Sequence, residues 1–224
     1  MPEAQQKTVW SPEEREIYRP PQRLSTAEWA ERNRELSVLT SASAGAYSLG
    51  AVPFFRGILD AIDDRDVETV VIQKSTQIGG TELVVSWLGR CADQDPGPAM
   101  IVLADEDTAN EICERRIQPM IRSTPSLRRL IIESKFNQNQ ITLRNNFSLT
   151  MAWDSSIART ASRPIRYLIM DEITKPGYSL VGTEGDVIGR VEQRTETFLN
   201  RKKVMLSTPT AEGDNLDKSQ ARLR

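Results

Sequence analysis

Residues 70–82 of the chain read VVIQKSTQIGGTE, and this stretch decides the fold. The β-branched run Val70–Gln73 predicts a strand, the turn after it carries Gly79 and Gly80, and a helical pattern follows from Thr81 to Cys91. At such a strand-to-helix turn, consecutive backbone N–H groups can hold phosphate groups at the N-terminus of the helix. A plain connection between a strand and a helix has the same pattern, so the glycines alone leave both interpretations open.

The stretch departs from the usual P-loop pattern, G-x-x-x-x-G-K-[ST], in the position of its lysine. Gly79 and Thr81 match the second glycine and the Mg²⁺-binding hydroxyl, whereas Gly80 replaces the lysine and Lys74 replaces the first glycine. A lysine at the entrance of the loop can extend over bound phosphates and supply the missing cation. We therefore predict a phosphate-binding loop formed by Lys74, Ser75, Thr76, Gln77, Ile78, Gly79, Gly80 and Thr81.

A second stretch, RYLIMDE at residues 166–172, ends a buried type of strand in two carboxylates. Ligands of open α/β sheets bind at the carboxyl ends of the strands. Asp171 is placed there to hold Mg²⁺ through water together with Thr81, and Glu172 to orient and deprotonate a nucleophilic water. The alternative is that Asp171 caps the next helix, but the loop and the carboxylates together, in this order, favour a nucleotide hydrolase.

A third apolar strand, Val204–Leu206, ends in Ser207 and Thr208. Small hydroxyl groups at the tip of a strand beside the loop can sense the γ-phosphate and relay its hydrolysis to a neighbouring segment. A simple turn before Pro209 is the alternative. We predict that Ser207 and Thr208 form a coupling motif.

Strands and helices alternate along the chain, and several strands are apolar throughout, as in a mainly parallel sheet covered on both faces. We therefore predict an α/β fold of the P-loop NTPase type, a three-layer domain with a twisted central sheet. Its central strands are predicted at Val70–Gln73, Ala99–Ala104, Arg166–Met170 and Lys203–Ser207. A helix is predicted from Glu106 to Arg122 with a stop at Pro125, and a hairpin from Gln140–Leu143 and Phe147–Ala152.

The first 36 residues are predicted to form two short helices, because Ser11-Pro12-x-Glu14 and Ser25-x-x-Glu28 are both N-terminal capping patterns. We expect residues 1–36 to pack as a helical segment on the core, and residues 37–224 to form the P-loop domain.

Composition excludes several classes of function. The 224 residues contain no histidine and two cysteines, Cys91 and Cys113, so a zinc site and Ser-His or Cys-His nucleophiles are excluded. Two thiols make no disulfide framework, and a reducing compartment is expected. No apolar run approaches the roughly 18 residues of a membrane span, and the N-terminus lacks the features of a signal peptide. The net charge of −2 argues against a general nucleic-acid-binding protein.

These motifs resemble the ATPase portion of the large subunit of tailed-phage terminases of the GpA (lambda-like) type. Short motifs from Trp29 to the C-terminus carry the resemblance: Trp29-Ala30-Glu31, Ser41-Ala42-x-x-Gly45, Pro53-Phe54-Phe55-Arg56, Lys74-Ser75-x-Gln77-x-Gly79-x-Thr81-Glu82, Arg116-Ile117-x-Pro119-Met120-Ile121, Ser162-Arg163-Pro164-x-Arg166-Tyr167, Asp171-Glu172, Glu184-Gly185-Asp186, Arg194-Thr195-x-Thr197-Phe198 and Ser207-Thr208-Pro209-Thr210. Lysine at the loop entrance is a feature of that family. Gly80 and Thr76 depart from its pattern, which leaves Lys74 as the candidate cation of the loop.

The resemblance implies an ASCE/RecA-like ATPase, with ATP and Mg²⁺ as ligands, that pumps double-stranded viral DNA into a procapsid. It implies three protein contacts, namely the small terminase subunit, the portal protein and further copies in a ring, and no membrane. The place of action would be the host-cell cytoplasm during virion assembly. The family protein also carries a C-terminal nuclease domain, for which we expect no room in the residues after Thr210.

The resemblance also implies further site residues. An arginine should stabilise charge on the transferred phosphoryl group, with Arg163 in the Ser-Arg-Pro motif as first candidate and Arg159 as second. An adenine-binding side would include Tyr47, Pro53, Phe54 and Arg56. Solvated arginines and a core aromatic are the alternatives for these residues.

Further basic residues surround the predicted helix at 106–122 and are candidates for tracking DNA phosphates, although a solvated helix face fits them as well: Arg115, Arg116, Arg128 and Arg129. Two other functions remain open from the sequence. One is a helicase-like or remodelling ATPase, and the other is a degenerate P-loop scaffold that does not hydrolyse ATP.

Overall fold

A seven-stranded sheet lies at the centre of the structure, a computed structural model that describes residues 11, 23–36, 44–153, 156, 163–175, 187–209 and 214–221. In chain order its strands are β1 (Thr69–Gln73), β2 (Pro98–Leu103), β3 (Ile131–Phe136), β4 (Gln140–Leu143), β5 (Ser148–Trp153), β6 (Tyr167–Asp171) and β7 (Lys202–Ser207). A separate antiparallel pair joins Glu35–Leu36 to Gly45–Ala46.

The strands follow the order β1-β7-β6-β2-β5-β4-β3 across the sheet. The first five are parallel to one another. Strand β4 pairs antiparallel with β5, and β3 pairs antiparallel with β4 at the edge of the sheet. The strand before the glycine loop, β1, and the strand before the paired carboxylates, β6, therefore lie on either side of β7. Their carboxyl ends meet at one edge of the sheet, where α/β folds bind ligands.

The predicted α/β fold is confirmed, and the four predicted strands are present with ends that differ by at most one residue. The central position is wrong for one of them, because β1 is the outermost strand and pairs with β7 alone. The predicted hairpin is also present as β4 and β5, which pair in antiparallel register from Gln140↔Thr150 to Thr142↔Ser148. Strand β3 was not predicted. Its sequence, IIESKF, places two charged residues in an exposed stretch at the edge of the sheet, so it lacks the apolar pattern of a buried strand.

Helices cover both faces of the sheet. In chain order they are α1 (Thr26–Asn33), α2 (Phe55–Asp63), α3 (Gly80–Gln94), α4 (Glu106–Ile112), α5 (Gln118–Ser123), α6 (Pro125–Arg128), α7 (Val187–Gln193) and α8 (Asn215–Ala221). A short 3₁₀ turn spans Leu49–Ala51, and a π-helical turn, Cys113–Ile117, joins α4 to α5. The predicted helix from Glu106 to Arg122 is therefore present with a π turn inside it. Pro125 begins α6, because proline is favoured in the first turn of a helix.

The second of the two predicted N-terminal helices is α1. Ser25 caps it, since the Ser25 hydroxyl accepts from the N–H of Glu28 and the Glu28 carboxylate accepts from the N–H of Ser25. The first predicted helix, after Ser11, lies outside the described residues. Helix α1 packs on α3 through Trp29, whose indole N–H donates to Asp93 at 2.9 Å. The division of the chain at residue 36 stays a prediction.

Two apolar clusters fill the two faces of the sheet, as the alternation of side chains along its strands requires. One joins the sheet to helices α1 to α6. The other joins Met100, Val102, Leu168 and Met170 to apolar side chains of α7 and α8: Val187, Ile188, Val191 and Leu216. No helix among the described residues is long and apolar enough to cross a bilayer.

The contact between α1 and α3 gives a test of the packing. A side-chain carbon at Gly89 would overlap the ring of the fully buried Trp29 and lie 3.0 Å from the sulfur of Met120. We expect Gly89→Ala to lower the free energy of unfolding by about 1–3 kcal/mol, because neither neighbour can yield. Gly57→Ala in α2 is the control, since no atom lies within 4 Å of the added carbon. It should raise the stability by about 0.5–1 kcal/mol, and urea unfolding compares the two. Equal effects of both variants would contradict this packing.

Candidate phosphate-binding site

The loop between β1 and α3 spans residues 74–79 and has the strand–loop–helix arrangement that the sequence predicted. Two of its residues have left-handed backbone conformations, Gln77 with φ of 58° and Gly79 with φ of 88°. Glycine adopts this conformation without strain, whereas glutamine does so less readily. The Phe55 ring would lie 3.6 Å from a side-chain carbon at Gly79. The loop is thus bent sharply just before the N-terminus of α3, where backbone N–H groups have no partners within the helix.

The side chain of Lys74 crosses the first residue of α3. A side-chain carbon at Gly80 would lie 2.7 Å from Cδ and 3.1 Å from Cε of Lys74, and 3.3 Å from Leu206 Cδ1. Any residue larger than glycine at position 80 therefore collides with the lysine in this conformation. The lysine at the loop entrance and the glycine at the usual lysine position are sterically complementary.

Asp171 lies at the end of β6 and faces the first turn of α3. Only 6% of Asp171 is exposed, and the Thr81 hydroxyl donates to its Oδ2 at 3.4 Å. Burial raises the pKa of Asp171 to about 6, while the positive charge of Lys74 acts in the opposite direction. The structure thus brings together three of the predicted residues, which come from the loop, the helix and the neighbouring carboxylate strand.

This arrangement fits Mg²⁺ with phosphate. A hydroxyl and a buried carboxylate side by side supply the hard oxygen ligands that Mg²⁺ prefers, and in nucleotide sites phosphate and water complete its shell. Among the described residues no group of three or more His, Cys, Asp or Glu forms a self-sufficient metal site. Thr81 and Asp171 would therefore hold the ion only together with a bound phosphate.

Glu172 follows Asp171 in a left-handed conformation with φ of 56°. Its N–H donates to the carbonyl of Leu206 at 2.7 Å, and its own carbonyl accepts from the N–H of Lys175 at 2.9 Å. The carboxylate forms an ion pair with the ammonium group of Lys175, and its side chain is 38% exposed. Glu172 thus extends from the sheet edge toward solvent, where a water molecule can reach it.

The end of β7 contacts both parts of the site. The carbonyl of Ser207 accepts from the N–H of Lys74 at 3.0 Å. The hydroxyls of Ser207 and Thr174 are 2.8 Å apart, and the Thr174 hydroxyl also donates to the carbonyl of Thr208 at 3.0 Å. Thr174 and Lys175 were missed in the sequence, because nothing in their spacing shows that the chain after Glu172 folds back over β7.

The predicted adenine side divides into two parts. Pro53, Phe54 and Arg56 are exposed. They lie near the loop, because Phe55, which adjoins them in the sequence, packs close to Gly79. Tyr47 is only 5% exposed, with the guanidinium of Arg34 5.7 Å from the centre of its ring. This burial favours the alternative of a core aromatic for Tyr47. The role of the other three stays a prediction.

Arg163 does not lie beside the carboxylates of its own chain. It precedes β6, and its guanidinium donates to Gln140 at 3.3 Å, close to Pro98 and Ser148 at the starts of β2 and β5. Strand β6 is five residues long, so its first and last residues are about 13 Å apart. Arg163 lies before the first residue and the carboxylates lie at and after the last. The order of the sequence already implied this placement. The catalytic role of Arg163 stays a prediction. Arg159 lies outside the described residues.

The family profile described as "Phage terminase large subunit gpA, ATPase domain" matches residues 41–222, which is most of the chain. No curated protein sequence matches the chain.

Two solved structures of phage proteins are similar to this chain. The large terminase of bacteriophage HK97 has a TM-score of 0.63 at 15% sequence identity, covering 88% of this chain and 41% of the HK97 chain. This chain therefore spans less than half of that relative. A mutant ATPase domain of the large terminase of Thermus phage P74-26 has a TM-score of 0.46 at 13% identity, covering 65% of this chain and 61% of that one. The similarity to the HK97 protein shows a shared fold.

The raised pKa of Asp171 predicts how stability depends on pH. Since the pKa rises from 3.8 to about 6 on folding, the folded state binds more protons between these values. Stability should therefore fall as the pH rises through this window. Asp171→Asn removes the ionisation, so we expect it to be more stable than the parent at pH 7.5 by about 1–3 kcal/mol.

At pH 4 this advantage of Asp171→Asn should disappear. Urea unfolding at the two pH values measures the difference, with Asp60→Asn on the exposed face of α2 as the control. An Asp171→Asn variant that is less stable than the parent at pH 7.5 would show that the carboxylate is stabilised, not strained, by its surroundings.

Proposed function

Because the chain belongs to the family of phage terminase large subunit gpA ATPase domains, we propose that it binds Mg-ATP at the loop 74–81 and hydrolyses it to move double-stranded DNA. The observation that carries this proposal is the fit of Lys74 over Gly80, beside the pair formed by Thr81 and Asp171. Together they place one cation, one hydroxyl and one carboxylate at the N-terminus of a helix, which is the chemistry that a triphosphate with Mg²⁺ requires.

In this proposal the loop binds the phosphates and Lys74 supplies the positive charge toward the β- and γ-phosphates. Thr81 and Asp171 would hold Mg²⁺, which neutralises charge on the phosphate oxygens when it is bound. Because Gly80 has no side chain, Lys74 can lie directly across the helix terminus. Exposed Phe54 and Arg56, near the loop, would contact the adenine base.

Glu172 acts as the general base in this proposal. It takes a proton from a water molecule whose oxygen attacks the γ-phosphorus, and the bond between the γ-phosphorus and the bridging oxygen breaks to release ADP. The ion pair with Lys175 holds the Glu172 carboxylate in the structure described here. Glu172 has to leave this partner before its carboxylate can contact the attacking water.

The end of β7 would carry the result of hydrolysis away from the site. Ser207 is hydrogen-bonded through its carbonyl to the entrance of the loop and through its hydroxyl to Thr174 in the turn after the carboxylates. Loss of the γ-phosphate that shifts the loop entrance at Lys74, or the turn that contains Thr174, would therefore also shift the segment that begins at Thr208. We assign the coupling role to this segment.

The guanidinium of Arg163 contacts Gln140, at the opposite ends of the strands from Asp171 and Glu172. We propose that a neighbouring copy in a ring supplies the arginine that stabilises the transition state. The ring would act with the small terminase subunit and the portal protein in the host-cell cytoplasm. These partners follow from the family and not from contacts of this chain.

Replacement of the loop-entrance lysine tests the binding site. Lys74→Ala should weaken Mg-ATP binding roughly ten- to a hundred-fold, because a charge-assisted contact to phosphate is worth about 1.5–3 kcal/mol. The double variant Lys74→Ala/Gly80→Lys should recover part of the loss, since removal of the Lys74 side chain makes room for a lysine at position 80. Calorimetric titration with a non-hydrolysable ATP analogue and Mg²⁺ measures both.

The control for this experiment is Lys135→Ala, an exposed lysine on the edge strand β3. It should bind the analogue as the parent does. If Lys74→Ala also binds like the parent, the lysine is not a phosphate ligand. If the parent itself does not bind, the degenerate-scaffold alternative is supported instead.

Glu172→Gln separates binding from chemistry. It should bind Mg-ATP with nearly the affinity of the parent, because its carboxylate is paired with Lys175 and is not one of the proposed phosphate or Mg²⁺ ligands. Hydrolysis should fall about 10²–10⁴-fold, the usual contribution of a general base. The measurement is phosphate release in the assembled full-length motor, with Glu106→Gln, an exposed residue of α4, as the control. Normal phosphate release by Glu172→Gln would exclude it as the base.

A further inference from the structure

Glu82 and Arg116 belong to two of the motifs that carry the family resemblance, and neither residue has a role in the site so far. The first ends in Glu82, directly after Thr81, and the second begins with Arg116 in the π-helical turn. The guanidinium of Arg116 forms an ion pair with the Glu82 carboxylate. Residues far apart in the sequence thus meet one residue away from the proposed Mg²⁺-binding hydroxyl.

Glu82 is also held from the N-terminal side of the chain. Arg34 donates through Nη2 to the Glu82 carboxylate at 2.6 Å, and through Nη1 to the carbonyl of Glu82 at 3.0 Å and the hydroxyl of Ser86 at 2.8 Å. The side chains of Arg34 and Glu82 are only 4% and 13% exposed. One glutamate is therefore clamped by two arginines that come from opposite parts of the chain.

Arg116 lies in the π-helical turn Cys113–Ile117. The two adjacent arginines of this turn point in different directions: the Arg115 side chain is 69% exposed and pairs with Glu111 on the surface, whereas the Arg116 side chain is 29% exposed and turns toward α3. Successive side chains of a helix point about 100° apart, so only one of the two arginines can face α3. π-Helical turns occur frequently at functional sites.

We propose that Glu82 is a positioning residue for the phosphate site and that Arg116 is the part of its clamp that adjusts it. The proposal rests on the proposed Mg-ATP-binding function. The clamp fixes both the side chain and the carbonyl of Glu82, so it fixes the first turn of α3, which contains Gly80 and Thr81. The helical segment after β2 would thereby be linked to nucleotide affinity, because any shift of the π turn acts on Glu82.

Burial makes this clamp strong enough for such a role. A largely buried carboxylate that loses one of its two cations is left undercompensated, and the surrounding helix turn must shift to restore its hydrogen bonds. The Arg115–Glu111 pair on the same helix is exposed, and exposed pairs contribute little. The two neighbouring arginines therefore provide an internal comparison with nearly identical chemistry.

The test compares Arg116→Ala with Arg115→Ala in the full chain. Calorimetric titration with Mg²⁺ and a non-hydrolysable ATP analogue should show a Kd raised about five-fold or more for Arg116→Ala, and within about two-fold of the parent for Arg115→Ala. Arg116→Lys retains the charge and should lie close to the parent. Hydrogen exchange should become faster at residues 79–86 in Arg116→Ala, while the strands of the sheet keep the protection of the parent.

Other outcomes overturn the inference. If Arg116→Ala binds the analogue like the parent while Lys74→Ala does not, Glu82 has no positioning role and the proposed function stands. Faster exchange throughout the chain with an unchanged Kd would assign the clamp to overall stability alone. If Arg116→Ala does not fold, Glu82→Gln and Arg116→Lys decide, because the first should raise the Kd and the second should not. A parent that does not bind the analogue overturns the proposed function and this inference together.

Discussion

Strand β7 is hydrogen-bonded to β1 on one side and to β6 on the other, and its last two residues hold the two turns of the site. The carbonyl of Ser207 accepts a hydrogen bond from the N–H of Lys74, and the carbonyl of Leu206 accepts one from the N–H of Glu172. Both carbonyls belong to buried residues, so separating the turns would leave main-chain groups without partners, which costs about 1–3 kcal/mol for each. The backbone of the sheet therefore fixes the distance between the cationic and the acidic parts of the site, and side chains only refine it.

The buried charge of Asp171 is a second constraint at the carboxyl ends of these strands. Asp171 is buried at a position where its negative charge is unfavourable, and the positive charge of Lys74 offsets this only in part. Burial of this carboxylate reduces the stability of the free protein, a cost that functional sites commonly carry. The proposed Mg²⁺ would bring positive charge to Asp171 and would therefore stabilise the fold as it binds.

The sequence predicted the sheet well because its central strands are apolar throughout and end in distinctive residues such as Asp171. It did not predict strand β3, whose charged residues face solvent at the edge of the sheet. The position of Arg163 away from Asp171 follows from the sequence order, because a residue before a parallel strand lies at the opposite end of the strand from a residue after it. The contacts of Thr174 and Glu82 could not be predicted in this way. Each joins segments that are distant in sequence, and no local pattern shows which distant residue each of them will contact.

The steric fit of Lys74 against Gly80 has a consequence for how such a loop evolves. Transfer of the cation from one position to the other needs two substitutions, and each alone is unfavourable, because one removes the charge and the other introduces a collision. We therefore expect the effects of substitutions at the two positions to be non-additive, because they share one space at the start of α3. The residue tolerated at position 80 then depends on the conformation that position 74 adopts.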